Sequence, residues 1–280
     1  MKEYEIFKDL KVPINSKIII RLDGRGFHNI SKKLKLKKPY DEKFTKSMVK
    51  TSAIFFKEFS PDFVYTFSDE INILISKIPF SGRIEKIDSI FASLASSGLT
   101  INLNKINNIS NNTNNNNTNN NNTNSNNIIN NIYNDKNNRN NKCINKNNNN
   151  KNYNNQNKIN TNTNYAISFD SRVILIPNEK ITDYFKWRQD EAFRNHVNGY
   201  GYWTLRKKFS KEKAYEKLKG MKQSEIHELL FKTEKINLND YPLWQKRGIG
   251  LYKNEEKELI FDTKLPIFNK DFFNSKIIKY

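Results

Sequence analysis

The chain of 280 residues has room for one large or two small domains, and its 48 Lys and Arg against 29 Asp and Glu give a net charge of +19. This surplus excludes an acidic, metal-buffering protein and favours a polyanionic partner, although a solvated lysine-rich surface would explain the charge about equally well. The single cysteine, Cys143, excludes an internal disulfide framework and a zinc site built from several thiolates. The N-terminal residues are charged and no apolar run is long enough to cross a bilayer, so we expect a cytoplasmic protein without membrane contact.

Four predicted strands and two predicted helices follow one another in the order β-α-β-β-α-β. The strands are runs rich in Ile, Val and Phe, whereas the helices repeat apolar residues at helical spacing. In chain order these elements are the strand Lys17–Asp23, the helix Asp41–Phe59, the strands Phe63–Phe67 and Ile71–Ile75, the helix Ile84–Leu99 and the strand Tyr165–Ile176. The order predicts an α+β fold with a ferredoxin-like antiparallel sheet.

Additional helices are predicted after the fourth strand. They cover Asp183–Arg206, Ser210–Leu218 and Ser224–Phe231, and a strand-and-turn appendage around Trp244 follows them.

An asparagine-rich tract over 104–164 interrupts the pattern between the second helix and the fourth strand. It carries a net charge of +6, which leaves +13 on the rest of the chain, and it has almost no apolar periodicity. Such a segment cannot bury enough apolar surface to offset its chain entropy, so we expect a disordered insertion. Residues 1–103 and 165–280 are then predicted to form one catalytic domain with a C-terminal helical extension. Deletion of Asn107 to Asn162 is expected to leave catalysis intact.

Two acidic segments stand where predicted strands end: Asp23 is the last residue of the first strand, and Asp69 with Glu70 lies in the turn between the second and the third. In a ferredoxin-like sheet the third strand lies between the first and the second, so Asp23 and Asp69 become neighbours. Carboxylates that close repel each other unless cations lie between them, and Mg²⁺ held by one or two carboxylates and substrate phosphates is a usual solution. The alternative is that these acids only cap turns and bind no metal.

Three strings of residues resemble one protein family. They are RLDGRGFH at 21–28, FSDE at 67–70 and WRQDEAFRNHVN at 187–198. Their order and spacing are similar to the tRNA-His guanylyltransferase (Thg1) family, and more closely to its Thg1-like branch of archaea and bacteria. Members of the family add nucleotides to the 5′ end of RNA in the 3′-to-5′ direction on a polymerase-like palm. The resemblance covers nearly the whole chain except the asparagine-rich tract.

The resemblance also implies the site residues. Asp23 and Asp69 would bind two Mg²⁺ ions with the backbone carbonyl of Gly24, and Glu70 would support this catalytic site. The residues implied in binding ATP, GTP or another nucleoside triphosphate are Asp23, Gly24, Arg25, Gly26, Phe27, His28, Lys38, Asp41, Ser68, Asp69, Arg83 and Lys86. Those implied in binding the tRNA are Arg188, Asn195 and Lys207. Relatives suggest a homotetramer.

One departure from the family pattern bears on the activity. The eukaryotic branch carries a His-Ile-Asn-Asn run after WRQ, whereas Phe193, Arg194, Asn195 and His196 stand here. This departure favours templated repair of 5′-truncated tRNA over the addition of a single G to tRNA-His. By resemblance, ATP activates a 5′-monophosphate end, and the 3′-hydroxyl of the incoming nucleotide then attacks that phosphate.

Two other functions agree with parts of the sequence. A palm-fold cyclase or GTP-hydrolysing enzyme shares the sheet and the paired acids, but it acts on free nucleotides and has no need of a basic surface. A non-catalytic RNA-binding protein would keep the basic and aromatic residues, but it has no need of Asp23, Asp69 and Glu70, which repel phosphate.

Overall fold

The computed structural model describes residues 1–113 and 167–277, which form a sheet flanked by helices and confirm the predicted α+β class. The strands are β1 (Lys17–Gly24), β2 (Phe63–Phe67), β3 (Glu70–Ile75), β4 (Phe169–Ile176), β5 (Ile249–Lys253) and β6 (Leu259–Asp262). The helices are α1 (Phe27–Lys33), α2 (Glu42–Glu58), α3 (Ile84–Thr113), α4 (Ile181–Leu205), α5 (Lys211–Leu218), α6 (Gln223–Glu234), α7 (Leu243–Arg247) and α8 (Lys270–Lys276). Among the described residues, no helix combines the length and apolar composition that crossing a membrane requires.

The six strands lie in the order β4-β1-β3-β2-β5-β6, and every neighbouring pair is antiparallel. β1 and β3 pair from Ile18 opposite Ile75 at one end to Asp23 opposite Glu70 at the other. β4 pairs with the free side of β1 and brings Phe169 opposite Gly24. The end of β1 therefore meets the beginning of β3, as the predicted strand order requires.

Both faces of the sheet are covered because the central strands are apolar on both sides. On one face, aromatic residues of β2 pack with Phe185 of α4 and with Phe268 and Phe273 at the C-terminal end of the described chain. Ile18, Ile20 and Leu22 alternate with the residues of that face and are completely buried on the other. The helices α2 and α3 pack together through Phe55 and Phe91, whose ring centroids lie 5.4 Å apart.

The second half of α4 forms a smaller apolar cluster with α6. Val197 and Tyr200 of α4 pack there with Ile226 and Leu230 of α6. Gly201 allows this close approach, because a Cβ atom at that position would lie 2.8 Å from Ile226. The cluster joins the C-terminal helices to the sheet domain through one long helix.

Several element boundaries differ from the sequence prediction. The helix α1 and the short helix α7 were not predicted, and the expected appendage forms the hairpin β5–β6 followed by α8. β5 pairs with β2, a contact between segments far apart in the chain that local pattern does not reveal. α3 continues to Thr113, past the predicted domain boundary at 103, and the rest of the predicted insertion lies outside the described residues.

Candidate active site

The predicted acids meet at one end of the sheet, in a group that we name the acid corner: Asp23, Asp69 and Glu70. Asp23 lies opposite Glu70 in the β1–β3 pairing. The backbone N–H of Gly24 donates a hydrogen bond of 3.1 Å to the carbonyl oxygen of Asp69. The backbone itself therefore holds the two acidic segments together.

Asp69 stands in the tight turn between β2 and β3. Ser68 has a left-handed backbone with φ of 49°, and its hydroxyl donates a hydrogen bond of 2.8 Å to Oδ1 of Asp69. Burial raises the pKa of Asp69, and the negative charges of Asp23 and Glu70 raise it further, although the Ser68 hydroxyl opposes the shift. The ionised form of Asp69 is therefore unfavourable in this position, and a cation bound at the corner would stabilise it.

Glu70 is buried and is bound by the side chains behind the corner. Its Oε1 accepts hydrogen bonds of 2.8 Å from Nε of Arg188 and from Nδ2 of Asn72, and its Oε2 accepts one of 2.6 Å from Nη2 of Arg188. Tyr184 in turn donates a 2.7 Å hydrogen bond to Oδ1 of Asn72. These bonds occupy both carboxylate oxygens, so Glu70 supports the corner from behind.

The position of Arg188 corrects its predicted role in RNA binding. Its side chain is only 9% exposed, and its guanidinium packs 4.4 Å from the ring centroid of Trp187 and 5.5 Å from that of Phe67. A guanidinium whose fork is occupied by a buried carboxylate is not available to an RNA phosphate. Arg188 faces Glu70 because α4 packs directly across the β3 end of the sheet.

The glycine-containing loop after β1 passes very close to the corner. A Cβ atom on Gly24 would lie 2.3 Å from the ring of Phe27 and 3.0 Å from Cβ of Asp69, so only glycine fits there. Gly26 has φ of 68°, a left-handed conformation that glycine adopts without strain, and it begins α1. Arg25 is exposed, and its backbone N–H donates to the carbonyl of Ser168.

A cavity of about 220 Å³ opens beside Asp69. Its apolar lining includes Leu36, Tyr40, Phe44, Met48 and Trp244. The predicted site residues that line it are Phe27, His28, Lys38, Asp41, Ser68, Asp69 and Asn195. The cavity therefore combines an apolar wall with charged groups at one side, which suits a ligand with a flat ring and an anionic tail.

Lys38 is one of two lysines that line this cavity, the other being Lys37. Its ammonium donates a 2.9 Å hydrogen bond to Oγ of Ser31 and lies 5.7 Å from the ring centroid of Trp203. Burial lowers the pKa of Lys38, while the carboxylates of Asp69 and Asp41 oppose the shift. The cation is thus held in place near the acid corner.

Asp41 has a structural role that its predicted nucleotide contact did not include. It caps α2, because its Oδ1 accepts a 2.9 Å hydrogen bond from the backbone N–H of Phe44. Its Oδ2 accepts a second bond of 2.9 Å from the backbone N–H of Lys37. Asp41 therefore orders the loop that carries Lys38.

Three predicted site residues neither line the cavity nor belong to the acid corner, to its partner Arg188 or to the loop after β1. Arg83 and Lys86 follow the far end of β3, where Arg83 forms a bridge with Lys11 and the Lys86 ammonium lies 5.2 Å from the ring centroid of Phe80. Lys207 is exposed in the turn after α4. Within this single chain the structure does not bring these residues to Asp69.

The sequence analysis missed several polar residues that support the site. Asn72 and Tyr184 belong to this group, and so does Gln189, which accepts from the backbone N–H of Phe268 at 2.8 Å and donates to the carbonyl of Pro266 at 3.0 Å. Asn72 could have been noticed in the sequence, because it is a polar residue inside the apolar strand EINILI. A buried polar group needs a partner, so such residues indicate contacts to other elements.

The acid corner offers a small set of oxygen donors. Among residues 1–113 and 167–277, no three His, Cys, Asp or Glu side chains come together as a metal-binding group. Because Arg188 and Asn72 occupy Glu70, the remaining carboxylates at the corner are those of Asp23 and Asp69, and the Gly24 carbonyl is the further ligand that the resemblance implies. This set contains only oxygen, which hard cations such as Mg²⁺ prefer.

Comparison with known proteins identifies similar sequences and folds. Residues 1–177 match the family model described as tRNAHis guanylyltransferase, and residues 179–271 match the model of that family's C-terminal domain. The tRNA(His) guanylyltransferase of Schizosaccharomyces pombe is 28% identical over 255 residues, which cover 89% of this chain and 77% of that protein. A probable tRNA(His) guanylyltransferase of Drosophila melanogaster is 26% identical over 260 residues, covering 90% of this chain and 72% of that protein.

A solved structure shares the fold. It is a bacterial tRNA(His) guanylyltransferase-like protein in complex with ATP, with a TM-score of 0.65 and 24% identity. The match covers 98% of this chain and 94% of that one.

Proposed function

This chain belongs to the tRNA-His guanylyltransferase family, and from that membership we propose that it is a nucleotidyltransferase that adds nucleotides to the 5′ end of tRNA in the 3′-to-5′ direction. The observation that carries the proposal is the acid corner, where Asp69 lines a cavity that also contains Lys38. An acid pair next to a lysine and an apolar wall suits a nucleoside triphosphate and a metal-dependent reaction on its phosphates.

The substrates follow from the cavity and from the family. The bacterial relatives with this fold have been solved with ATP and with GTP. We propose that this cavity takes the same class of ligand, with the base against the wall formed by Tyr40, Phe44 and Trp244. Its triphosphate would then extend past Lys38 towards Asp69.

Two Mg²⁺ ions fit the residues present. Burial raises the pKa of Asp69, the negative charges of Asp23 and Glu70 add to the shift, and a bound cation would compensate both effects. Asp23, Asp69 and the Gly24 carbonyl would supply the protein ligands, since Mg²⁺ normally keeps water and substrate phosphates for the rest. When bound, such ions neutralise the charge that develops on the attacking and leaving oxygens.

The residues of the chain position the reactants in two successive transfers. In the first, the 5′-monophosphate of the RNA attacks the α-phosphorus of ATP, which forms an adenylylated 5′ end and releases pyrophosphate. In the second, the 3′-hydroxyl of the incoming nucleotide attacks the 5′ phosphate and expels AMP. Lys38 would hold phosphate oxygens, and Glu70 with Arg188 would keep the turn of Asp69 in position. No protein nucleophile is required, since positioning and charge neutralisation carry phosphoryl transfer.

The proposal also includes the sheet topology, the type of tRNA substrate and the oligomeric state. The antiparallel strand order β4-β1-β3-β2 supports a polymerase-like palm, because it places carboxylates on adjacent strand ends. Phe193 at the position of the eukaryotic histidine supports templated repair of truncated tRNA. We also propose the homotetramer of the family as the active assembly.

A direct assay tests this function. Purified protein is incubated with Mg²⁺, ATP and labelled GTP in the presence of a 5′-truncated tRNA, and the RNA and small products are separated. We expect the label to join the RNA at its 5′ end. Conversion of GTP into a cyclic nucleotide or into GDP would favour the free-nucleotide enzymes instead.

A variant pair makes the assay specific for the acid corner. Asp69→Asn is expected to abolish addition while tRNA affinity stays nearly unchanged, because Lys and Arg contacts to phosphates supply most of the binding. Asp271→Asn, which removes an exposed carboxylate from the first turn of α8, serves as the matched control and is expected to keep full activity. Wild-type activity in Asp69→Asn would contradict the metal assignment.

A further inference from the structure

The exposed His28 lines the mouth of the cavity, and the charges of three lysines from three different elements act on it. The Lys38 ammonium lies 5.7 Å from the ring centroid of Trp203, near the end of α4, and α5 with Lys211 follows directly after that helix. Lys32 lies one helical turn after His28 on α1, Lys38 lies in the following loop and Lys211 begins α5. The positive charge of Lys32 lowers the pKa of the exposed His28 most strongly, and burial and the charges of Lys211 and Lys38 add to the shift. The fold thus concentrates positive charge where a ligand enters.

The two outer lysines of this group form no ion pair among the described residues, although the charge of Lys211 acts on the neighbouring exposed carboxylate of Glu212. Lys180, Lys186, Lys208 and Lys232 each form an ion pair with a carboxylate, but no such pair to Lys32 or Lys211 is found in the described part of the chain. Unpaired like charges around one histidine repel one another. An anion from outside the chain would remove that repulsion.

The inner and outer lysines differ in what they face. Lys38 lines the cavity and interacts with the carboxylates of Asp69 and Asp41. Lys32 and Lys211 are exposed and do not line the cavity. A nucleoside triphosphate in the cavity therefore reaches Lys38, whereas the outer pair faces whatever crosses the mouth.

The polymeric substrate has to cross this mouth, because its 5′ phosphate must reach Asp69. We propose that Lys32 and Lys211, which we name the lysine rim, bind the backbone phosphates of the RNA acceptor strand next to the 5′ end under extension. The proposal rests on the proposed function, since it requires an RNA end at the acid corner. A lysine ammonium is a point charge that suits phosphate contacts of this kind, which carry no sequence information.

The test measures RNA binding as a function of salt. The probe is a 5′-monophosphorylated acceptor-stem hairpin with a recessed 5′ end, and its affinity for the full chain is followed by fluorescence anisotropy over a series of KCl concentrations. Loss of two phosphate contacts reduces the magnitude of the negative slope of log K against log salt by about 2, where K is the association constant for the RNA. It also weakens binding at 0.1 M salt by at least about tenfold. We expect this result for the double variant Lys32→Gln, Lys211→Gln.

The matched control removes the same charge at a distance from the cavity. Lys253 and Lys257 are exposed on the β5–β6 hairpin, and Lys253 lies at the end of β5 away from Ile249, which lines the cavity. The double variant Lys253→Gln, Lys257→Gln is expected to keep the wild-type slope. The KM for ATP is expected to stay unchanged in both double variants.

Two outcomes would overturn the lysine rim. Equal salt slopes for the rim and control variants would show that the rim contacts no RNA phosphate. An increased KM for ATP with unchanged RNA affinity would assign Lys32 and Lys211 to the nucleotide instead. Extension of the hairpin by wild-type protein is measured in parallel, so a failure of the proposed function is seen separately from a failure of the rim.

Discussion

At the residue scale, the pair of Glu70 and Arg188 explains how an acid can be buried beside two other acids. Their side chains are each 9% exposed, and Arg188 holds both carboxylate oxygens of Glu70. The pair leaves Asp23 and Asp69 as the carboxylates with free oxygens at the corner. A buried pair of this kind is costly to break from one side, because the remaining charge loses its partner.

The first prediction concerns this pair. Arg188→Met is expected to lower the free energy of unfolding by about 3–5 kcal/mol, because it leaves the Glu70 carboxylate buried and unpaired. Glu70→Gln leaves the opposite charge unpaired and is expected to destabilise the protein similarly. The double variant Glu70→Gln, Arg188→Met is expected to be clearly more stable than the sum of the single changes predicts. Urea unfolding of the four proteins measures the coupling, and additive losses would contradict a direct ion pair.

At the element scale, α4 connects the active site with the C-terminal helices. Its first half supplies Arg188 and Gln189 to the sheet, and its second half packs on α6 through Val197 and Tyr200. His196 lies completely buried between these halves, among the rings of Tyr40, Tyr200 and Tyr241. This histidine makes the packing of α4 sensitive to acid.

The second prediction states how the free energy of unfolding changes with pH because of His196. Burial lowers the pKa of His196 to about 4, and the positive charges of Lys246 and His227 contribute. In the unfolded chain the pKa is about 6.5, so the unfolded state binds the extra proton between these values. The contribution of His196 to the free energy of unfolding is therefore fully present above about pH 6.5. It is lost as the pH falls towards about 4, and the loss is up to roughly 3 kcal/mol.

The variant His196→Leu tests the prediction by comparison. It removes the titrating group but keeps an apolar side chain, so its free energy of unfolding is expected to depend less on pH than that of the wild type between pH 6.5 and 4. Unfolding curves at several pH values measure the difference. Parallel pH dependence of the two proteins would show that His196 does not titrate on unfolding.

At the scale of the whole molecule, the asparagine-rich insertion stands apart from the catalytic residues in sequence and in composition. The helix α3 is anchored next to β4, since Oγ of Ser96 accepts a hydrogen bond from the backbone N–H of Phe169 at 3.1 Å. Leu99 and Leu103 are still buried. Among the described residues, those that form the acid corner or line the cavity all lie outside the range 107–162.

The third prediction is that deletion of Asn107 to Asn162 leaves 5′-end addition within about twofold of the full chain. A helix shortened to Ile106 ends about 15 Å beyond Ser96, at 1.5 Å for each residue. The remaining residues from Thr163 to Ser168 can span about 20 Å, so the chain can still reach β4. The addition assay and a thermal unfolding curve check the variant. A large loss of activity at unchanged stability would show that the insertion takes part in the reaction.

The strands and the main helices could be predicted because they depend on local pattern, and the neighbouring positions of Asp23 and Asp69 followed from the predicted order of the strands. Apolar runs marked β1 to β4, and the turn residues marked the positions of Asp23 and Asp69. The role of Arg188 could not be predicted in this way. An arginine on a helix has the same local pattern whether it faces RNA or a buried carboxylate.

The sequence by itself determined the α+β class, the family and the pair of acids that define the candidate reaction. Periodicity and short motifs are properties of neighbouring residues, so they can be read without the tertiary structure. Only the tertiary structure decided which side chains compensate those acids and which lysines gather at the cavity mouth. Glu70 and Arg188 are 118 positions apart, and Lys32 and Lys211 lie on different helices. Contacts of this kind arise when helices dock on the sheet, and that docking depends on the packing of the whole core.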